Sequence, residues 1–235
     1  MSHQVLRLLA GTLLSTSLLG QNGGPGIFTS AADIGAPTIA GATAYDAASH
    51  EYRLTGSGSN MWATQDQFQY AWREMGGDFT ATATLRFLGT GNEHRKAGLM
   101  LRQSLDADSA YADVIVHGNG MPALQWRPRK GENTNTFDLP IQGPGTFTVK
   151  LVRAGVKVHL YVGRNGAEPV RIVNTEVTFT GPVLLGLAVC AHDAAKAETV
   201  IFSNVSVEQT PPAPRAPRLV LSLMRVADRD VFPIR

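Results

Sequence analysis

Apolar and polar positions along this chain of 235 residues alternate with a period of two. After Gly26 no helical period persists for more than a few residues, and clusters of Gly, Asn, Asp and Pro separate the alternating runs. This period is typical of β-strands, whose side chains point alternately to the two faces of a sheet. We predict twelve strands, over residues 43–45, 51–57, 67–75, 78–87, 96–103, 110–117, 121–127, 145–153, 156–162, 170–180, 183–190 and 199–207.

So many short strands with regular turns indicate an all-β protein, a jelly-roll β-sandwich of two antiparallel sheets. Two hairpins are especially clear. Gly118-Asn119-Gly120 separates two of the alternating runs, and these residue types accept the positive φ of a tight hairpin turn. Arg153-Ala154-Gly155 separates another pair, with Phe147, Val149 and Leu151 on one face of the first strand.

The two ends of the chain differ in composition from the predicted sandwich, which we place at residues 26–208. Residues 1–23 carry Arg7 followed by a short apolar block, too short for a membrane span, which needs about 20 apolar residues. We interpret this segment as a signal peptide for export to the periplasm or the cell exterior. Residues 209–235 begin with a proline-rich linker and end in a tail too short for a core of its own.

Composition and charge exclude some function classes. The sequence has 21 Lys and Arg against 19 Asp and Glu, a net charge of +2, which gives no reason to expect nucleic-acid binding. Cys190 is the only cysteine, so no internal disulfide can form. It lies in an apolar run, where a free thiol usually packs as a small apolar side chain.

Alternation in three neighbouring predicted strands separates an apolar face from a polar one. Apolar side chains such as Leu99, Val114 and Leu124 suit the core between the sheets. The opposite face, which we expect to be open, carries Arg102, Asp113, His117, Gln125 and Arg127. A second stripe, whose side the sequence leaves undecided, contains Phe68, Tyr70, Trp72 and Glu74.

Aromatic rings with Asp, Gln, His and Arg on one sheet are what a sugar-binding surface needs. Rings cover the apolar faces of pyranoses, and planar polar groups pair with hydroxyls. The alternative is a surface ladder of ion pairs, with Arg102 bonded to Asp113 across two strands. The clustering favours a ligand, and the predicted contact residues are Trp72, Arg102, Asp113, His117, Gln125 and Arg127.

Residues 104–109 contain a second candidate site. Asp106 and Asp108 could bind Ca²⁺, yet Asp and Ser also favour turns, and no Gly or distal Glu completes a calcium loop. We therefore favour a turn and expect no cofactor. The sequence also lacks the Gly-x-Ser-x-Gly, Walker, His-Glu-x-x-His and Cys-x-x-Cys motifs of several enzyme classes.

The segments GSGSNMW, FQYAWREMGGDFTATATLRFLG, HRKAGLMLRQSLDADSAYADVIVHGNG and LQWR resemble secreted bacterial concanavalin A-like domains of the DUF1349 type. Such domains are often joined to TolB-like propeller repeats. The resemblance covers about residues 28–207. It implies a lectin- or glucanase-like jelly roll with a glycan-related role, and it supplies no agreed catalytic residues.

The leading hypothesis is an exported, non-catalytic module that binds carbohydrate. One alternative is a glycoside-active enzyme that uses Asp113 or His117 as a general base beside Arg102. The other is a protein–protein interaction module that docks through a sheet edge or through the apolar tail.

Overall fold

The computed structural model describes residues 26–211, and all regular structure in that range is β-strand. Sixteen strands follow one another: β1 (Ser30–Ile34), β2 (Ala42–Asp46), β3 (Glu51–Gly56), β4 (Met61–Trp62), β5 (Gln65–Asp66), β6 (Phe68–Met75), β7 (Phe79–Phe87), β8 (Lys96–Arg102), β9 (Tyr111–His117), β10 (Pro122–Arg127), β11 (Asn135–Asp138), β12 (Phe147–Ala154), β13 (Lys157–Arg164), β14 (Val170–Glu176), β15 (Val183–Cys190) and β16 (Glu198–Gln209).

The strands form two sheets of seven and one short hairpin. The first sheet has the order β1-β6-β15-β8-β9-β10-β11, and the second has the order β14-β13-β12-β7-β16-β3-β2. β4 and β5 pair only with each other. All pairings are antiparallel, so the predicted fold class, an all-β sandwich of two antiparallel sheets, is confirmed.

The main core lies between the two sheets. Leu99 and Val114 of the first sheet and Leu151 and Phe202 of the second belong to one buried apolar cluster. Leu99, Val114 and Leu151 are among the residues that alternation places on apolar strand faces, and both predicted hairpins are also present. Sequence periodicity was sufficient here because inward side chains of a sandwich are uniformly apolar.

The outer face of the first sheet, which points away from the main core, is also buried. Every residue of β8 and β9 is buried, and Phe68, Tyr70 and Ile115 belong to a second apolar cluster on this face. The β4–β5 hairpin lies over it: the Asp66 backbone N–H donates to the Ala107 carbonyl at 2.9 Å. The expectation that this face is open is therefore wrong over much of its area.

Each of the twelve predicted strands corresponds to a strand of the structure, whereas β1, β4, β5 and β11 were missed. β4 and β5 have two residues each, and all four residues of β11 are exposed. Such segments carry no apolar alternation, so pairing with a neighbour alone makes them strands.

The turn between β9 and β10 brings the end of the outer face close to a neighbouring loop. Its backbone closes through His117 N–H to the Met121 carbonyl, 2.8 Å, and Gly120 N–H to the His117 carbonyl, 2.8 Å. Gly120 has φ +86°, and a Cβ there would lie 1.9 Å from the Gly143 carbonyl oxygen. Only glycine meets both conditions.

Within residues 26–211 there is no helix with the length and apolar character needed to cross a membrane. The predicted signal peptide at residues 1–23 and most of the predicted tail at 209–235 lie outside the described residues.

Gly120→Ala tests the closeness of this turn, with Gly155→Ala as its matched control. Both positions have positive φ, but nothing lies within 4 Å of a Cβ at Gly155. We expect Gly155→Ala to lower the free energy of unfolding by about 1–2 kcal/mol through φ alone. Gly120→Ala should cost about 1–3 kcal/mol more through overpacking. Denaturant unfolding measures both, and equal losses would contradict the close contact with Gly143.

Candidate functional site

A buried ion cluster centred on Asp66 occupies one end of the outer face. Arg102 on β8 and Arg127 on β10 stand on either side of Tyr111 in the sheet register. Asp66 Oδ2 accepts from Arg102 Nη1 at 2.7 Å and from Arg127 Nη1 at 2.8 Å, and Oδ1 accepts from Arg127 Nη2 at 2.7 Å. All three side chains are fully buried. The hairpin is thereby held to the sheet by charge-assisted hydrogen bonds.

The other donors of the two guanidinium groups are also in use. Arg102 Nη2 donates to the Asp106 carbonyl at 2.6 Å, and Arg127 Nε donates to the Glu132 carbonyl at 3.0 Å. Arg102 and Arg127 therefore hold the hairpin and its neighbouring loops to the sheet, with their donors engaged inside the protein. That they contact a ligand stays a prediction. The ion pair between Arg102 and Asp113 is also not formed, because Asp66 takes its place.

Beyond the hairpin, the same face opens into a cavity of about 390 Å³. Strand ends supply part of its lining: Lys96 begins β8, and the register places it opposite His117, the last residue of β9. Gln125 comes from β10, Trp62 from β4 and Asp138 from β11, and loops supply the remainder. The lining residues are Asn60, Trp62, His94, Lys96, His117, Met121, Gln125, Asp138 and His192.

The cavity contains buried polar atoms without partners among the described residues. His117 is only 5% exposed and Gln125 only 2%. Both ring nitrogens of His117 and Oε1 of Gln125 make no hydrogen bond. Buried polar groups are nearly always paired, and leaving one unpaired costs about 1–3 kcal/mol. These atoms are available to a bound molecule.

Burial controls the ionisation of the groups around the cavity. It lowers the pKa of His117 to about 4, with Lys96 adding repulsion, so this imidazole is neutral at pH 7. Burial also lowers the pKa of His192 and that of Lys96. The pKa of Asp113 is raised well above its usual range, again chiefly by burial.

Asp113 and Trp72 lie outside the cavity. Asp113 is fully buried in the sheet, and its Oδ1 accepts from the backbone N–H of Gln125 at 3.3 Å. Trp72 stacks on Tyr70 with ring centroids 5.5 Å apart. The register puts Trp72 four strands from Gln125, a separation of about 19 Å at the usual strand spacing. Of the six predicted contacts, only His117 and Gln125 line the cavity.

Sequence reasoning missed Trp62, Lys96 and Asp66. Alternation could have found Lys96, because it shares a face with Met100 and Arg102 on the same strand. Trp62 and Asp66 belong to a hairpin of two-residue strands without a periodic signal. Their position over the sheet depends on tertiary contacts.

The Asp106–Asp108 segment forms a turn, with Ser109 N–H bonded to the Asp106 carbonyl at 3.0 Å. The Lys130 ammonium contacts both carboxylates, at 2.5 and 3.4 Å. Across residues 26–211 no group of three or more His, Cys, Asp or Glu side chains is placed to hold a metal ion. Cys190 is fully buried, as its apolar surroundings predict, and burial raises the pKa of its thiol to about 11.

A second cavity, of about 400 Å³, lies where loops of both sheets meet, lined by Phe87, Arg95 and several glycines. The Arg95 guanidinium is largely engaged, donating to the Gly91 carbonyl at 2.7 Å and lying 3.5 Å from Glu198. His117 lines this cavity as well, but the indole ring of Trp62 and the amide oxygen of Gln125 line only the cavity beside Trp62.

No family model matches the sequence, and no curated protein matches it. Solved structures do match. A functionally unknown protein from Saccharomyces cerevisiae has a TM-score of 0.60 at 14% identity, covering 77% of this chain and 96% of that one. The carbohydrate-binding module CBM66 from Bacillus subtilis has a TM-score of 0.51 at 16% identity, covering 78% and 98%.

The GH43 protein BlXynB from Bacillus licheniformis has a TM-score of 0.53 at 13% identity, and the match covers 77% of this chain and 39% of that one. Identities this low demonstrate a common fold and nothing finer. The chain thus has the concanavalin A-like, jelly-roll β-sandwich fold.

Asp66→Asn tests the ion cluster. It leaves two buried guanidinium groups without a counter-charge, and we expect the free energy of unfolding to fall by about 3–5 kcal/mol. Asp106→Asn is the control, because its partner Lys130 is 59% exposed and solvent screening makes such a pair contribute little to stability. Chemical denaturation compares the two, and similar losses would contradict a structural role for Asp66.

His117 should make stability depend on pH. Its pKa is about 4 when folded against 6.5 for an ordinary histidine, so between these values the unfolded chain binds the extra proton. Stability is therefore lost as pH falls through 6.5 towards 4. Between pH 7 and pH 5 the wild type should lose about 2 kcal/mol more than His117→Gln, whose side chain does not titrate. If the free energy of unfolding falls by the same amount in both proteins between pH 7 and pH 5, the buried, neutral imidazole is contradicted.

Proposed function

We propose that this protein is a carbohydrate-binding module whose ligand occupies the cavity beside Trp62. One observation carries the proposal: an indole ring and buried, unpartnered polar atoms of His117 and Gln125 line the same cavity. A ring can cover the apolar face of a pyranose, while imidazole nitrogens and an amide oxygen exchange hydrogen bonds with its hydroxyls. A ligand without hydrogen-bonding groups would leave the His117 and Gln125 atoms unpaired.

The proposed role is binding without cleavage. Hydrolysis of glycosides usually needs two carboxyl groups on either side of the scissile bond. Among the described residues, Asp138 is the only carboxylate that lines the cavity, since Asp113 is fully buried in the sheet. The enzyme alternative would have to rely on His117, whose low pKa makes it a weak base at pH 7.

The fold is compatible with this role. One structural neighbour is described as a carbohydrate-binding module, and the match covers 98% of that neighbour and 78% of this chain. We further propose that the protein is exported and belongs with the DUF1349-type domains, on the sequence features of its amino terminus and the motifs given above.

Trp62→Ala and Trp72→Ala form a matched pair that tests the site. Both tryptophans are half-buried, but only Trp62 lines the cavity. Calorimetric titration with a panel of oligosaccharides should give a measurable Kd for the wild type. Trp62→Ala should weaken it about 10-fold or more through the loss of ring contact, whereas Trp72→Ala should leave it unchanged.

Thermal unfolding of both variants controls for misfolding. Equal weakening by the two substitutions would contradict the cavity as the binding site and restore Trp72 as a contact. Absence of binding to every oligosaccharide would contradict the function itself. If shorter oligosaccharides appear during the titration, the proposal of binding without cleavage is contradicted and the hydrolase alternative is supported.

A further inference from the structure

Lys96 is a buried amine beside the proposed ligand, and no carboxylate within residues 26–211 lies close enough to form an ion pair with it. We propose that the ligand is an acidic carbohydrate, a sugar acid whose carboxylate pairs with the Lys96 ammonium. This inference rests on the proposed glycan binding and names the chemical class of the glycan.

The hydrogen bonds of Lys96 leave one donor for a ligand. Its Nζ donates to Asn60 Oδ1 and to the Met61 carbonyl, both at 2.9 Å. The Trp62 ring centroid lies 5.1 Å from the same nitrogen. An ammonium carries three N–H donors, so one donor remains for a ligand. Both acceptors are neutral and the Trp62 ring attracts the cation only weakly, so no anionic partner for Lys96 is present among the described residues. Lys96 itself lines the cavity.

A buried charge without a partner is costly, and proteins usually pair it or use it. Burial lowers the pKa of Lys96, as expected for an ammonium that has no counter-charge within ion-pair distance. Asp113 is the carboxyl group that acts on Lys96 most strongly, yet burial raises its pKa well above the usual range and favours its neutral form. The counter-charge for Lys96 is therefore better supplied from outside the chain.

The remaining ionisable groups around the cavity leave its inner end positive. Asp66 is engaged by two arginines. Asp138 is exposed, so its charge is screened by solvent, and it accepts from Thr136 Oγ1 at 2.6 Å. Burial lowers the pKa values of His117 and His192 and favours their neutral forms at pH 7. A sugar carboxylate would meet a cation deep in the cavity, and the sugar hydroxyls would meet neutral donors and acceptors around it.

Acidic oligosaccharides and their methyl esters provide a direct test. Oligogalacturonate, oligomannuronate and oligoglucuronate would each be titrated against their fully methyl-esterified forms, which keep the sugar chain, remove the charge and add one methyl group to each carboxyl. We expect at least one acid to bind about 10-fold or more tightly than its ester, since a hydrogen bond to a charged group is the stronger kind. Raising the salt concentration should weaken binding of the acid more than that of its ester.

Lys96→Met should bring the affinity of the acid down to that of the ester. Lys157→Met is the matched control, because Lys157 is exposed on β13 of the second sheet and should leave the difference intact. If Lys96→Met does not fold, the comparison of acid and ester in the wild type still tests whether the ligand is acidic. Equal affinities for both forms would overturn this inference alone. Failure of every acid and ester, together with all neutral sugars, would overturn the proposed glycan binding and this inference with it.

Discussion

The buried ion pairs that Asp66 forms with Arg102 and Arg127 are the interaction on which the rest of the site depends. It holds a hairpin of two short strands over one end of a sheet that would otherwise be exposed on its outer face. Two guanidinium groups share one carboxylate, and all three are fully buried. The desolvation cost of each charge is offset only by its attraction to the oppositely charged partner. The covered end is fully buried, and beyond the hairpin the same face opens into the cavity.

The cavity inherits its chemistry from this arrangement. The hairpin supplies Trp62 and the Met61 carbonyl, and the sheet supplies Lys96, His117 and Gln125. Burial then leaves polar atoms that no other group of the described chain satisfies. A protein that only needed stability would gain by replacing such atoms with apolar ones. Their presence in a cavity beside an indole ring is the physical basis for a sugar ligand, and an unpaired buried cation is the basis for an acidic one.

Local pattern predicted the sheets and their inner faces well, because alternation reports which side of a strand is apolar. It also put Arg102, Asp113, His117, Gln125 and Arg127 on one face, as the register has them. It could not separate them by role. Nothing in the local sequence distinguishes Arg102 and Arg127 from arginines that contact a ligand. Their role in binding the hairpin to the sheet depends on Asp66, which lies 36 and 61 residues away in the chain.

The sequence by itself therefore determined the all-β class, the strands with an apolar face, the core between the sheets and the burial of Cys190. These follow from composition and from a period of two, which act over a few residues. The tertiary structure alone decided that the outer face is covered, that Trp62 and Lys96 meet His117 and Gln125 at a cavity, and that Trp72 lies far from it. Such facts depend on how a hairpin with no apolar period packs onto a distant sheet, and no local pattern encodes that contact.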